Sequence, residues 1–150
     1  MIRSYLMIFV LLLFLSCDTT EVDYSNYEVE ITMSSNEFVY KSDVKPQSLF
    51  VNKSKNDIYL PASIYVGFER KTDGKWGEFK SWFIIDGINT FITLNPDDSI
   101  GTLMGLSYFY VDSLKVPGEY RFNYLAYSDK EFTNLLPASM RSSESFFIHN

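Results

Sequence analysis

Side chains able to perform nucleophilic or metal-dependent chemistry are sparse in this chain. The single histidine is His149, one residue from the end, and the single cysteine is Cys17. A catalytic nucleophile therefore has no evident base beside it. Zinc sites need closely spaced Cys and His, and no stretch has the spaced oxygen ligands of a calcium loop. We expect neither a metal nor a cofactor.

Paired carboxylates are the remaining candidates for acid–base catalysis. Glu28 with Glu30, and Asp97 with Asp98, are close in sequence and could in principle act as a glycosidase pair. The first pair lies on the polar side of an alternating pattern, and the second lies in the turn "NPDD", where acidic residues accept backbone hydrogen bonds. Solvated or turn-forming roles are expected for both pairs, which indicates a non-enzymatic protein.

Cys17 stands between an apolar run and an acidic segment. Arg3 precedes eleven uncharged residues, 5–15, a layout typical of a secretory signal peptide and too short for a membrane span of about 20 residues. The stretch Phe14-Leu15-Ser16-Cys17 resembles a bacterial lipobox. That resemblance implies cleavage before Cys17 and lipidation of its thiol, with acyl chains such as palmitate. The alternative is a buried free cysteine or half of a disulfide, although a single Cys allows no internal disulfide.

The chain therefore divides into a signal-peptide helix over residues 1–16, a tether over 17–26 and a single domain over 27–150. Removal of residues 1–16 takes away one positive charge and changes the formal charge from −6 to −7. This charge disfavours nucleic acid as a partner. Aromatic residues make up 17% of the chain, enough for a core without disulfide or metal.

Exposed aromatic side chains could bind a partner. Trp76 follows the turn pair Asp73-Gly74, so a hairpin tip could project it outward. The alternative is a core position between the sheets. Trp82 and the run Tyr108, Phe109 and Tyr110 are further candidates. Stacking on sugar rings or insertion into a partner's pocket would suit these residue types.

Short alternating segments separated by turn residues run through residues 27–150. In "YEVEITM", Tyr27, Val29, Ile31 and Met33 share one face, a period of two that is typical of a half-buried strand. Pro117-Gly118 should reverse the chain into a strand whose Tyr120 shares a face with every second residue after it. The strand-like runs are "YEVEITM", "SLFVN", "IYL", "SIYVGFERK", "EFKSWFII", "TFITL", "SIGTLMGL", "EYRFNYLAYS" and "SFFIH".

This pattern predicts an all-β sandwich of about seven to nine antiparallel strands. The segments "LFVNKSKNDIYLP", with its strand-ending Asn, "FERKTDGKWGEF", "TLNPDDSIGTL" and "LKVPGEYRFNYLAYSD" resemble bacterial immunoglobulin-like domains related to the intracellular proteinase inhibitor family. The resemblance covers residues 46–148 and implies an immunoglobulin-like sandwich.

We therefore expect a lipid-anchored binding or accessory module on the bacterial cell membrane or outer membrane, facing the periplasm or the cell surface. Its expected partners are the membrane, through Cys17, and an envelope protein or glycan. A protease-inhibitor-like module, implied by the family, is the first alternative. A carbohydrate-binding or carbohydrate-active protein is the second.

Overall fold

The fold was analysed in a computed structural model that describes residues 22–39, 46–81, 90–102 and 116–149. The predicted signal-peptide helix over residues 1–16 lies outside these ranges. The described residues contain one helix, α1 (Ala138–Arg141), and the strands β1 (Val29–Met33), β2 (Glu37–Val39), β3 (Ser48–Asn52), β4 (Ile58–Pro61), β5 (Val66–Thr72), β6 (Lys75–Trp76), β7 (Lys80–Ser81), β8 (Phe91–Leu94), β9 (Ser99–Gly101), β10 (Gly118–Tyr124) and β11 (Ser142–His149).

The strands form three sheets. Strands β1, β3 and β9 make an antiparallel sheet, and β4 pairs with β8. The largest sheet has the order β2-β11-β10-β5-β6, and β7 also pairs with β5. The predicted all-β class is confirmed. Within the described ranges no helix is long and apolar enough to cross a bilayer.

Two details of the strand prediction are wrong. The described residues contain eleven strands where seven to nine were expected, because β2 and β6, which have only three and two residues, lie outside the predicted strand-like runs. Such short strands leave no alternating pattern to detect. In addition, β2 pairs with β11 in parallel. That pairing joins residues from opposite ends of the domain, so no hairpin turn in the sequence predicts it.

The predicted two-residue periodicity is confirmed in the strands that carry the core. In β10, Tyr120, Phe122 and Tyr124 are fully buried. In β11, Phe146 is fully buried, whereas the neighbouring Phe147 is 39% exposed. Since successive side chains of a strand point to opposite faces, the same alternation defines a buried and an outward side of the six-stranded sheet.

Aromatic side chains from different sheets meet in one core. Phe50 of β3 packs against Tyr124 of β10 with ring centroids 4.7 Å apart, so the three-stranded and six-stranded sheets share an apolar interior. Within the larger sheet, Tyr120 stacks on Phe146 at 5.9 Å. Burial of each such ring contributes about 1.5–3 kcal/mol to folding, and core formation is therefore the main determinant of this arrangement.

The hairpin between β5 and β6 has the predicted turn. Asp73 and Gly74 both adopt positive φ angles, 51° and 76°, as a two-residue type I′ turn requires. The turn sets Lys71 opposite Trp76. It thus places Trp76 on the edge of the largest sheet, next to charged residues of β5.

Candidate binding face

The outward side of the six-stranded sheet carries the described residues that best fit a binding role. We call this side the outer face. It contains every residue that alternates with the buried core positions of β5, β10, β11 and β2. One row of the outer face crosses the sheet from edge to edge and consists of Glu37, Phe147, Glu119, Lys71 and Trp76.

Trp76 lies across this face and outside the core. Its ring is half-buried, with the guanidinium carbon of Arg121 4.4 Å from the ring centroid and the ammonium of Lys71 5.3 Å away. Cations at these distances are attracted to the electron-rich face of an indole. Of the two positions expected for Trp76, the structure has the outward one, but the ring is held on the sheet by these contacts.

Arg121 is itself fixed by a nearly buried carboxylate. Its Nε and one terminal nitrogen donate to Glu69 Oε2 at 2.8 and 2.6 Å, and Asn123 Nδ2 donates to Glu69 Oε1 at 2.6 Å. Charge-assisted bonds of this kind are short and orienting. The Glu69 residue is only 9% exposed, so water competes little for this network.

Arg141 extends the network to the helix α1. It donates to Asn123 Oδ1 and, through Nε, to the carbonyl of Leu136 at 2.9 Å. Burial lowers the pKa of Arg141, and the like charge of Arg121 acts in the same direction, whereas Glu69 opposes them. Contacts therefore lead from Arg141 in the helix through Asn123, Glu69 and Arg121 to the indole of Trp76.

A second ion pair lies in the middle of the row. Lys71 Nζ donates to Glu119 Oε1 at 2.9 Å, and this hydrogen bond lowers the pKa of Glu119. Lys71 therefore has two contacts, one with the carboxylate and one with the indole. Both contacts restrict its side chain.

Phe147, next to Glu37 at the other end of the row, adds a second aromatic ring. The ring of Phe147 stacks on that of His149 with centroids 6.5 Å apart and planes 19° from parallel. His149 Nε2 contacts Glu37 Oε2 across the parallel pair of β11 and β2. The side chain of His149 is 57% exposed.

The two carboxylate pairs considered for acid–base catalysis lie at the surface of the described domain. Glu28 and Glu30 are exposed, as their alternating pattern predicted. Asp98 Oδ2 accepts the backbone N–H of Asn95 at 2.9 Å, the turn-forming role expected for this pair, and Asp97 lies 3.8 Å from Lys53 Nζ.

Grooves also lie on the surface of the described residues. A groove of about 340 Å³ between β1 and β11 contains a single carboxylate, Glu144, and is lined also by Ile31, Thr32, Met33, Ser35 and Asn36. Throughout residues 22–39, 46–81, 90–102 and 116–149, no group of three or more His, Cys, Asp or Glu side chains could hold a metal ion.

Sequence reasoning missed the network under Trp76. The segment "GFERK" did contain the signal, because Glu69 and Lys71 alternate with the apolar Phe68 and so had to share the face opposite the core. Five of the predicted site residues lie outside the described residues, namely Cys17, Trp82, Tyr108, Phe109 and Tyr110.

Comparisons with other proteins return no similar family. No protein-family model matches the chain, and no curated protein sequence matches it.

Proposed function

We propose that the chain is a non-enzymatic binding or accessory module of the bacterial envelope, tethered by lipid on Cys17, with an immunoglobulin-like sandwich as its folded domain. The observation that carries the binding role is the fixed indole of Trp76 on the outer face. An aromatic ring that is already immobilised loses little conformational entropy when a partner covers it. Trp and Arg are also the residue types most often found at energetic centres of interfaces.

The support for a sandwich comes from the packing of Phe50 against Tyr124 and from the predicted turn at Asp73 and Gly74. In such domains the sheet faces and loops carry the function, while the fold itself is shared among unrelated activities. The binding role is therefore argued from the outer face and not from the fold.

Binding can be tested with the full-length chain purified in detergent and carrying an affinity tag. The tagged chain is incubated with solubilised bacterial envelope, and retained proteins and glycans are measured. We expect Trp76→Ala to reduce the retained partner about tenfold, the effect of losing about 1.4 kcal/mol. Phe91→Ala is the matched control, because Phe91 is a 44% exposed aromatic residue of the β4–β8 sheet.

Equal retention by Trp76→Ala and the unaltered chain would refute the assignment of the outer face. Turnover of a glycan or peptide by the purified chain would refute the non-enzymatic role. Melting curves of both variants distinguish lost binding from lost folding.

The lipid anchor has its own test. Each buried methylene of an acyl chain contributes about 0.8 kcal/mol to membrane binding, and the chain contains no thiol other than Cys17. Cells fed a clickable palmitate analogue should label the unaltered chain and not Cys17→Ala. Label retained in Cys17→Ala would contradict the proposed anchor.

A further inference from the structure

We infer that the outer face binds a neutral oligosaccharide chain, which lies along the row from Trp76 to Phe147. This inference rests on the proposed binding function and specifies its ligand. The indole of Trp76 is one end of the row, Phe147 is the next residue to Glu37 at the other end, and Lys71 and Glu119 lie between the two rings.

The spacing of the two rings indicates an elongated ligand. Phe147 lies on β11 and Trp76 on β6, with β10 and β5 between them. Three strand spacings of about 4.8 Å separate the two positions by roughly 14 Å. A single sugar ring cannot cover both aromatics, whereas an oligosaccharide of several units can.

Each aromatic end is held in place before any ligand arrives. Arg121 and Lys71 hold the indole, and the ring of His149 stacks beside Phe147. Aromatic rings offer broad apolar surfaces on which the C–H faces of a sugar can lie. Because both rings are preorganised, they lose little conformational entropy when a ligand stacks on them.

The charges of the face favour a neutral ligand. Lys71 is paired with Glu119 and Arg121 with Glu69, and the carboxylate of Glu37 contacts the imidazole of His149. A charged ligand would have to break one of these pairs, whereas a hydroxyl can both donate to a carboxylate and accept from an ammonium that stays paired. The formal charge of −6 further disfavours anionic polymers.

A protein partner fits less well. The centre of a protein interface is apolar and depleted of charged residues. Here the centre of the row is an ion pair, and Phe147, 39% exposed, is separated from Trp76 by that pair. Along this row, Phe147 and Trp76 are thus two separate stacking surfaces.

The test is affinity electrophoresis of the full-length chain in non-ionic detergent. Native gels contain one dissolved polysaccharide each: dextran, mannan, laminarin or xyloglucan as neutral probes, and polygalacturonate as the anionic probe. We expect at least one neutral polymer to retard the chain. Trp76→Ala and Phe147→Ala should each weaken that binding about tenfold, while Phe91→Ala should not change it.

Three results would overturn the inference: no retardation by any of the four neutral polymers, stronger retardation by polygalacturonate than by all of them, or unchanged binding in Phe147→Ala. Retention of an envelope protein that depends on Trp76, without retardation by the neutral polymers, would overturn the glycan inference and leave the proposed function intact. If Trp76→Ala leaves retention of envelope components unchanged and no neutral polymer retards the chain, both the proposed binding function and the glycan inference are refuted.

Discussion

The fully buried side chain of Asn52 should be among the most stabilising polar groups of the domain. Its Nδ2 donates to the carbonyls of Asn56 and Leu94, both at 2.8 Å, and its Oδ1 accepts the backbone N–H of Ser54 at 3.0 Å as well as the Ser54 hydroxyl. These bonds join the end of β3 to the following loop and to β8. Asn52→Ala removes all of them.

The cost follows from the number of bonds. A hydrogen bond contributes about 1 kcal/mol net, and a buried group left without a partner costs about 1–3 kcal/mol. Loss of the three backbone contacts of Asn52 should therefore lower the free energy of unfolding by about 3 kcal/mol. That is a large share of a typical 5–15 kcal/mol, and it corresponds to a decrease in the melting midpoint of roughly 10 °C.

Thermal unfolding followed by circular dichroism measures this effect on the full-length chain. Asn56→Ala is the matched control, since Asn56 is an exposed residue of the same loop and participates through its backbone carbonyl, which the substitution keeps. Asn52→Asp retains the size of the side chain but places a carboxylate oxygen against two carbonyls, so it should destabilise at least as much. A midpoint in Asn52→Ala within about 2 °C of the control would refute the reasoning.

Three further predictions concern the strands around the core. A Cβ on Gly67 would lie 2.3 Å from the backbone oxygen of Lys80, so Gly67→Ala should lower the free energy of unfolding, measured with denaturant, by about 1–3 kcal/mol. Gly101→Ala is the control and should be tolerated, because the nearest atom to a Cβ on Gly101 is 3.6 Å away. Phe146→Ala should lower the free energy of unfolding by about 3–5 kcal/mol, and Phe147→Ala should lower it far less because that ring is on the outer face. Equal losses of stability in the two variants would refute the assigned faces. Burial raises the pKa of Tyr124 above its ordinary 10.0. The stabilisation that the neutral phenol provides is therefore present below pH 10 and is lost as the pH rises further. The melting midpoint should decrease less steeply with alkaline pH in Tyr124→Phe than in the unaltered chain.

The sequence predicted the strands that have a clear alternation and left out those without one. Tyr120 and its alternating neighbours in β10 are buried as expected, because the period of two alone decides which face meets the core. The turn at Asp73 was likewise predicted from local residue types, whereas the strand-ending Asn52 belongs to a segment that carried the family resemblance. The parallel partnership of Glu37 and Phe147 was not, because it depends on residues more than 100 positions apart.

The candidate site could be predicted only in part for a related reason. The exposure of Trp76 depends on what lies beneath it, and its sequence neighbours do not include Arg121. The contact is created when β10 pairs with β5 and sets Arg121 opposite Glu69. The turn at Asp73 predicts that Trp76 belongs to a hairpin, but the position of its ring is decided by tertiary pairing.

The network beneath Trp76 is better explained by orientation than by stability. Removing a carboxylate and a guanidinium from water costs several kcal/mol, and apolar residues of similar size often stabilise a fold as well or better. Glu69 nevertheless accepts three hydrogen bonds in a nearly buried position, two of them from the guanidinium that contacts the indole. These bonds fix the plane and position of Arg121, and the position of Arg121 in turn determines where an aromatic ring can lie on the sheet. A face used only to exclude water from the core would need none of these bonds, whereas a face that presents one ring to a ligand requires its support to be rigid.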